Sequence, residues 1–141
     1  CQDGDKIYYD CDIEGRVIGI STDLNVGYGI EIISGNYKHI YWHLRTDGIL
    51  VNIGQIVKLG DLIGLADNTG KYTTGTHLHR GLKEVDGNGN SLNKDNGYFG
   101  AIDIEPYFIG IFVLNVVQIN IIKQLLLLYN KLLELMKAKI K

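Results

Sequence analysis

Val51-Asn52-Ile53-Gly54-Gln55-Ile56-Val57-Lys58-Leu59-Gly60-Asp61-Leu62-Ile63-Gly64 sets down an apolar residue, a Gly-polar turn and an apolar pair, then repeats the sequence. Glycine takes turn conformations that other residues reach only under strain, so this spacing implies tight turns between very short strands. Punctuation by glycine continues upstream. Gly15-Arg16-Val17-Ile18-Gly19-Ile20 reads as a strand, and Ser21 to Gly29 as a polar loop. Ile30-Glu31-Ile32-Ile33 is a second strand, returned by the turn Ser34-Gly35-Asn36. Tyr37 to Leu44 then alternates aromatic and β-branched residues in β fashion, which predicts a hairpin. Downstream, Asp67 to Thr76 is rich in Asn, Thr and Gly and reads as a loop delivering the chain into His77-Leu78-His79.

Composition agrees with a turn-rich β protein. The 141 residues suffice for one domain with a real core; the whole chain holds 18 Gly, one Pro and nine Tyr, which with many Ile and Val describe such a protein through about residue 108. A net charge of -2, with 14 Lys and Arg dispersed or gathered at the C-terminus, excludes an electrostatic case for nucleic acid. Cys1 and Cys11 do not make a disulfide framework and read as free thiols. No signal peptide is visible; the chain begins with Cys and reads as a fragment or a processed product.

Two of the four histidines, His77 and His79, stand at i and i+2. On a strand both would project from one face. Neutral imidazole both ligates zinc and moves protons near pH 7, so the pair suggests a metal site.

The ordered motifs Glu14-Gly15-x-Val17, Tyr41-x-His43-Leu44, Val51-x-x-Gly54-Gln55-x-Val57-x-x-Gly60-Asp61-x-Ile63-Gly64, Thr69-Gly70 and Gly75-Thr76-His77-Leu78-His79 closely resemble the lysostaphin/LytM-type zinc endopeptidases. The resemblance covers roughly residues 4 to 107, and Gly81-Leu82-Lys83, Asp86 to Asn90 and Ile104-Glu105-Pro106-Tyr107 are similar to phage-lysin-like members. It implies zinc-dependent cleavage of a peptide bond in the stem or cross-bridge of bacterial peptidoglycan. By motif, His79 becomes a zinc ligand, and His43 and His77 take catalytic roles beside the open metal position. Such chemistry is coherent: zinc lowers the pKa of bound water towards ~7, while one imidazole takes a proton and another stabilises the oxyanion or protonates the leaving amine. Which of His43 and His77 acts as general base stays open.

The chain departs from the family in two places. A His-x-x-x-Asp motif supplies the family's other two ligands ahead of the Glu14-Gly15 strand, and no His precedes His39 here. Asp3, Asp5, Asp10 and Asp12 read as solvated turn formers. Truncation is the favoured explanation, ahead of a degenerate homologue or a processed lipoprotein beginning at Cys1, and weak or no zinc retention is expected. Arg80 follows the final His where an aromatic is usual. It should face away from the histidines, beside Leu78, on a face that is either open or provides an acidic partner.

The other aromatics have plainer readings. Alternation places His39 on the face of His43, as a surface or strand-lining residue, while Tyr37, Tyr41 and Trp42 offer walls for a substrate groove but default to packing. The C-terminal part differs in kind. Phe108 to Leu114 is apolar, but Asn115, Gln118 and Asn120 interrupt the run before the ~18 residues that a membrane span needs. Ile122, Leu125, Leu126, Tyr129, Leu132, Leu133 and Met136 follow a helical period, with lysines towards the end.

The expected architecture is therefore a mainly antiparallel β-sheet/barrel-sandwich hybrid domain over residues 1–108, with an amphipathic helical tail over 109–141 able to meet a partner helix or a membrane surface. The expected activity is zinc endopeptidase action on peptidoglycan, at the cell envelope, outside the cell or on a virion. A catalytically inactive LytM-like module that binds wall or regulates a partner hydrolase is the alternative.

Overall fold

The structure, a computed structural model, describes residues 1–107 and 121–132. Its strands are β1 (Lys6–Tyr8), β2 (Gly15–Asp23), β3 (Gly27–Ser34), β4 (Tyr37–Ile49), β5 (Ile56–Val57), β6 (Leu62–Ala66) and β7 (His79–Glu84). All pair antiparallel in one curled sheet of order β1-β6-β4-β3-β2-β5, with β7 added against β4. The expected mainly antiparallel β architecture is what forms.

The repeated glycine motif makes two like turns. Gly54 and Gly60 hold φ of +86° and +88°, and the turns close with Gln55 N donating to Asn52 O at 3.1 Å and Asp61 N to Lys58 O at 2.9 Å. In each turn the fourth side chain reaches back: Asn52 N donates to Gln55 Oε1 at 3.0 Å, and Lys58 N to Asp61 Oδ2 at 2.8 Å. Positive φ at the third position is what selects glycine there. The connection between β2 and β3 is shorter than the polar loop expected over Ser21 to Gly29. Pairing runs on to Asp23↔Gly27, and the Asp23 carboxylate closes the turn by accepting from Asn25 N and Val26 N at 2.6 and 3.2 Å.

Antiparallel partners directly opposite share a face. The rows Ile30–Tyr41–Arg80 and Ile32–His39–Leu82 cross β3, β4 and β7 on the inner face. Tyr9, Val17, Leu44, Val57 and Ile63 complete the core against them. Gly15 is needed where β2 crosses this core, since a Cβ there would overlap Ile32 Cγ2 and stand 2.7 Å from Tyr9 Oη. The opposite face carries Glu31, Ile40, Trp42 and Gly81 and stays open as a groove.

The β unit spans Cys1–Ile104, and a second unit spans Glu105–Lys141. In the second, residues 121–132 are helical, which includes Ile122, Leu125, Leu126, Tyr129 and Leu132 of the expected periodic stripe. The apolar run 108–114, Leu133, Met136 and the terminal lysines lie outside the described residues. Among the described residues no helix is long and apolar enough to cross a membrane. Cys1 and Cys11 are free, as expected.

Candidate active site

The groove's chemistry begins where β4 changes neighbours. Its first part, Tyr37 to Trp42, pairs with β7, whereas Leu44 and Ile49 pair with β6. At the change the register against β3 slips between Tyr28 and Gly29. His43 takes up the slip with φ +66°, a left-handed conformation that a non-glycine residue keeps only when its surroundings over-determine it. The step from Tyr41 to Leu44, both in the core, is therefore three residues rather than two, and His43 turns out onto the groove face beside Trp42. Simple alternation, which put His39 and His43 on one face, is corrected by this bulge. Trp42 is likewise not core packing. Its indole walls the groove and lies over Gly29, where a Cβ would stand 2.7 Å from Cδ2.

Thr69 holds the bulge. Its Oγ1 donates to Leu44 O at 2.7 Å and accepts from Tyr28 N at 3.1 Å, bridging a Tyr28↔Leu44 pair beside the slip. Its carbonyl accepts from His43 Nδ1–H at 2.7 Å. Gly27, at φ +97°, lets β3 approach, because a Cβ there would overlap Thr69 O and lie 3.1 Å from His43 Nδ1. In the sequence Thr69 was visible only as half of a motif; its role depends on a bulge that nothing local announces. Thr69→Val is expected to cost about 1–3 kcal/mol in urea unfolding and to loosen the His43 ring, seen as altered imidazole 15N shifts, with Thr69→Ser near wild type.

His77 and His79 arrive from the other side. His79 is the first residue of β7, while His77 precedes the strand, so its placement is set by its own hydrogen bond, Nδ1–H to Gly75 O at 2.8 Å, rather than by strand alternation. The ring centroid of His43 lies 4.6 Å from that of His77 and 5.8 Å from that of His79. The three predicted histidines are thus together. Carbonyl oxygens only accept, so His43 and His77 carry their proton on Nδ1 when neutral and keep Nε2 as the basic nitrogen. Partial burial, then the charges of His43 and His77, push the His79 pKa below the ordinary histidine value. His79 is kept neutral, the form that can ligate a metal. His43 and His79 border an open groove of about 660 Å³ that also touches Trp42, Lys83, Tyr98 and Phe99. On its other side, His43 joins His77, Asn25, Tyr72 and Thr73 around a second cleft of about 440 Å³.

These donors do not make a complete zinc site. A catalytic zinc takes three protein ligands and an open position. Among the described residues no group of three or more His, Cys, Asp or Glu is placed to hold a metal ion. His79 stands as a single candidate ligand, with His43 and His77 engaged through Nδ1.

Arg80 answers the second departure. It points away from the histidines into the inner face, and its partner is Asp10, 70 residues earlier, with Nη2 donating to Oδ1 at 2.9 Å and Nε to Oδ2 at 3.1 Å. Tyr41 OH also donates to Asp10 Oδ1, Arg80 lies 4.3 Å from the Tyr41 ring centroid, and Nη2 reaches His39 Nδ1 at 2.6 Å. Asp10 is therefore an ion-pair partner rather than a solvated turn former. His39, only 6 % exposed and edge-on to Tyr9 at 5.8 Å, is a core residue and not a surface one.

A one-sided β sheet that gathers three imidazoles between a groove and the cleft beside it suits a hydrolase domain, here of metallopeptidase type. The profile of Peptidase family M23 matches residues 11–94, and the chain belongs to that family. An uncharacterized metalloprotease of Buchnera aphidicola subsp. Baizongia pistaciae is 45 % identical over 71 residues, a stretch that takes in 44 % of this chain and 18 % of that protein. The solved structure of LytU is similar at 30 % identity and TM-score 0.58, over 76 % of this chain and 66 % of that one. The catalytic domain of lysostaphin from Staphylococcus simulans shares the fold at 24 % identity and TM-score 0.61, over 77 % and 73 %. The chain thus spans less than a fifth of the Buchnera relative and just under two thirds of LytU. Members of the family are generally zinc-dependent peptidoglycan hydrolases.

Proposed function

We propose that this domain acts on the peptide part of bacterial peptidoglycan and belongs to an endopeptidase that cleaves stem or cross-bridge bonds. The observation that carries this is the convergence of His43, His77 and His79, with His43 and His79 on an open, peptide-sized groove and His77 joining His43 on the cleft beside it. Two imidazoles with Nε2 free are suited to take up and return a proton at a scissile amide, and the carbonyls of Thr69 and Gly75 hold them in that tautomer. Trp42 and the loop carrying Tyr98 and Phe99 would hold an extended chain against this end of the groove. A peptidoglycan substrate places the site of action at the cell envelope, outside the cell or on a virion.

The incomplete donor set favours a second reading, a LytM-like module that binds wall or regulates a partner hydrolase without cutting. Metal analysis and the clearing of cell-wall suspensions separate the two. The isolated chain is expected to retain well under one zinc. If zinc-supplemented chain clears wall suspensions, and His43→Ala and His77→Ala abolish the clearing while His79→Ala lowers it and the zinc content together, the endopeptidase reading holds. Wall binding without clearing, indifferent to chelator, would establish the module instead.

A further inference from the structure

The groove floor continues away from the histidines along β7. His79, Gly81 and Lys83 alternate onto it, opposite Trp42, Ile40 and Lys38 of β4. Gly81 keeps the floor low, and the nearest atoms that a Cβ there would meet are those of Ile40 and His79 Nε2 at 3.4 to 3.9 Å. At the far end two lysines stand directly opposite each other, a pairing that is unfavourable unless the charge is answered. Lys38 is answered by Glu31 at 3.5 Å. Lys83 has no ion-pair partner among the described residues; the groove around it is bordered by Ile40, Ala101, Tyr98 and Phe99 and by Glu31, whose carboxylate is already taken by Lys38.

The rim above it is built to stay open. Tyr98 and Phe99 are 74 % and 80 % exposed, and Phe99 holds φ +53°. Asn96 fixes that loop: its Oδ1 accepts from Tyr98 N at 2.9 Å and Gly100 N at 3.1 Å, and its Nδ2 donates to Ala101 O at 2.9 Å. Two aromatic rings are thereby kept on the rim of a cleft whose far end holds one unanswered cation.

We infer that Lys83 is a subsite for a carboxylate, anchoring an extended peptide in the groove about four residues, or ~13 Å, from the histidines. This rests on the peptide-groove reading above and adds its substrate class: peptides bearing a free carboxyl group at that spacing, rather than their amidated counterparts. An ammonium group that lines an apolar-walled cleft gains more from such a partner than one in open water. Tyr98 and Phe99 flank the backbone between the two ends.

The test is binding without turnover. A synthetic tetrapeptide of wall-stem composition ending in a free α-carboxylate, and its carboxamide twin, are titrated into the chain with no metal added and followed by 15N-resolved shifts and calorimetry. The acid is expected to bind about tenfold tighter than the amide, a preference that shrinks with salt, vanishes in Lys83→Gln and persists in Lys83→Arg. Equal affinity for the two peptides, a preference unchanged by Lys83→Gln, or no binding of either overturns the inference. Because no hydrolysis is read, an inactive chain that still prefers the acid leaves this subsite standing and removes only the endopeptidase reading. A chain that clears wall but shows no preference does the reverse.

Discussion

Asp10→Ala is expected to lower the unfolding free energy by about 3 kcal/mol, more than removal of any exposed ion pair here. The Arg80 side chain is 12 % exposed and the Asp10 side chain 30 %, so the pair is screened far less than Arg45–Asp47 or Lys58–Glu14. Truncating Asp10 leaves a guanidinium on the inner face with only His39 Nδ1 and the Gly81 carbonyl as acceptors, and takes from Tyr41 OH its acceptor. The cost lies chiefly in stranding the charge, not in the attraction lost. It follows that the double variant Asp10→Ala/Arg80→Met, which removes both charges and keeps an unbranched stem over the Tyr41 ring, should recover most of the loss. Urea unfolding of the three proteins measures this cycle. A cost below about 1 kcal/mol for Asp10→Ala would mean that the pair behaves as a solvated surface contact.

How much of this was legible in the sequence depends on how local each feature is. The Gly54 and Gly60 turns could be read because positive φ at one residue, and a side chain closing back over three, are decided within four residues. The Ile30 to Leu44 hairpin was legible for the same reason. The face presented by His43 was not, because the bulge arises where β4 exchanges β7 for β6, and both neighbours come later in the chain. His39 was misplaced with it, because its face was read from His43 across the break in the period of two; Trp42 was given to packing by residue type, although its parity against Tyr41 already put it on the groove face. Asp10 was indistinguishable from Asp3, Asp5 and Asp12 until the fold brought Arg80 to it. The three site histidines could be named from motif spacing, but the groups that orient His43 and His77, Thr69 O and Gly75 O, are backbone atoms and leave no mark on residue type.

The buried Arg80 cluster also ties stability to pH through His39. Burial first, then the nearby Arg80 guanidinium, push its pKa down from the ordinary value of 6.5 to about 4, with Asp10 opposing. The geometry requires the neutral ring, since Arg80 Nη2 donates to Nδ1 and a protonated imidazole would set two donors against each other. In the unfolded chain His39 takes its proton near pH 6.5; in the folded chain it does so only near pH 4. Between those values the unfolded state holds more protons, so stability rises with pH there and is lost as pH falls from about 6.5 to about 4, after which this contribution levels off. The shift corresponds to about 3 kcal/mol at the acid end. His79, also lowered, contributes in the same direction, whereas the lowered carboxyls of Asp23, Asp47 and Asp86 act below their ordinary value of 3.8, beneath this window. His39→Gln keeps an acceptor for Arg80 and has no proton to gain. Urea unfolding at pH 7.5, 6, 5 and 4.5 should show wild type losing most of that ~3 kcal/mol relative to the variant, the two curves converging in slope only above pH 7. Parallel curves across this range would show that His39 is protonated as easily in the fold as out of it, and that Arg80 does not hold it neutral.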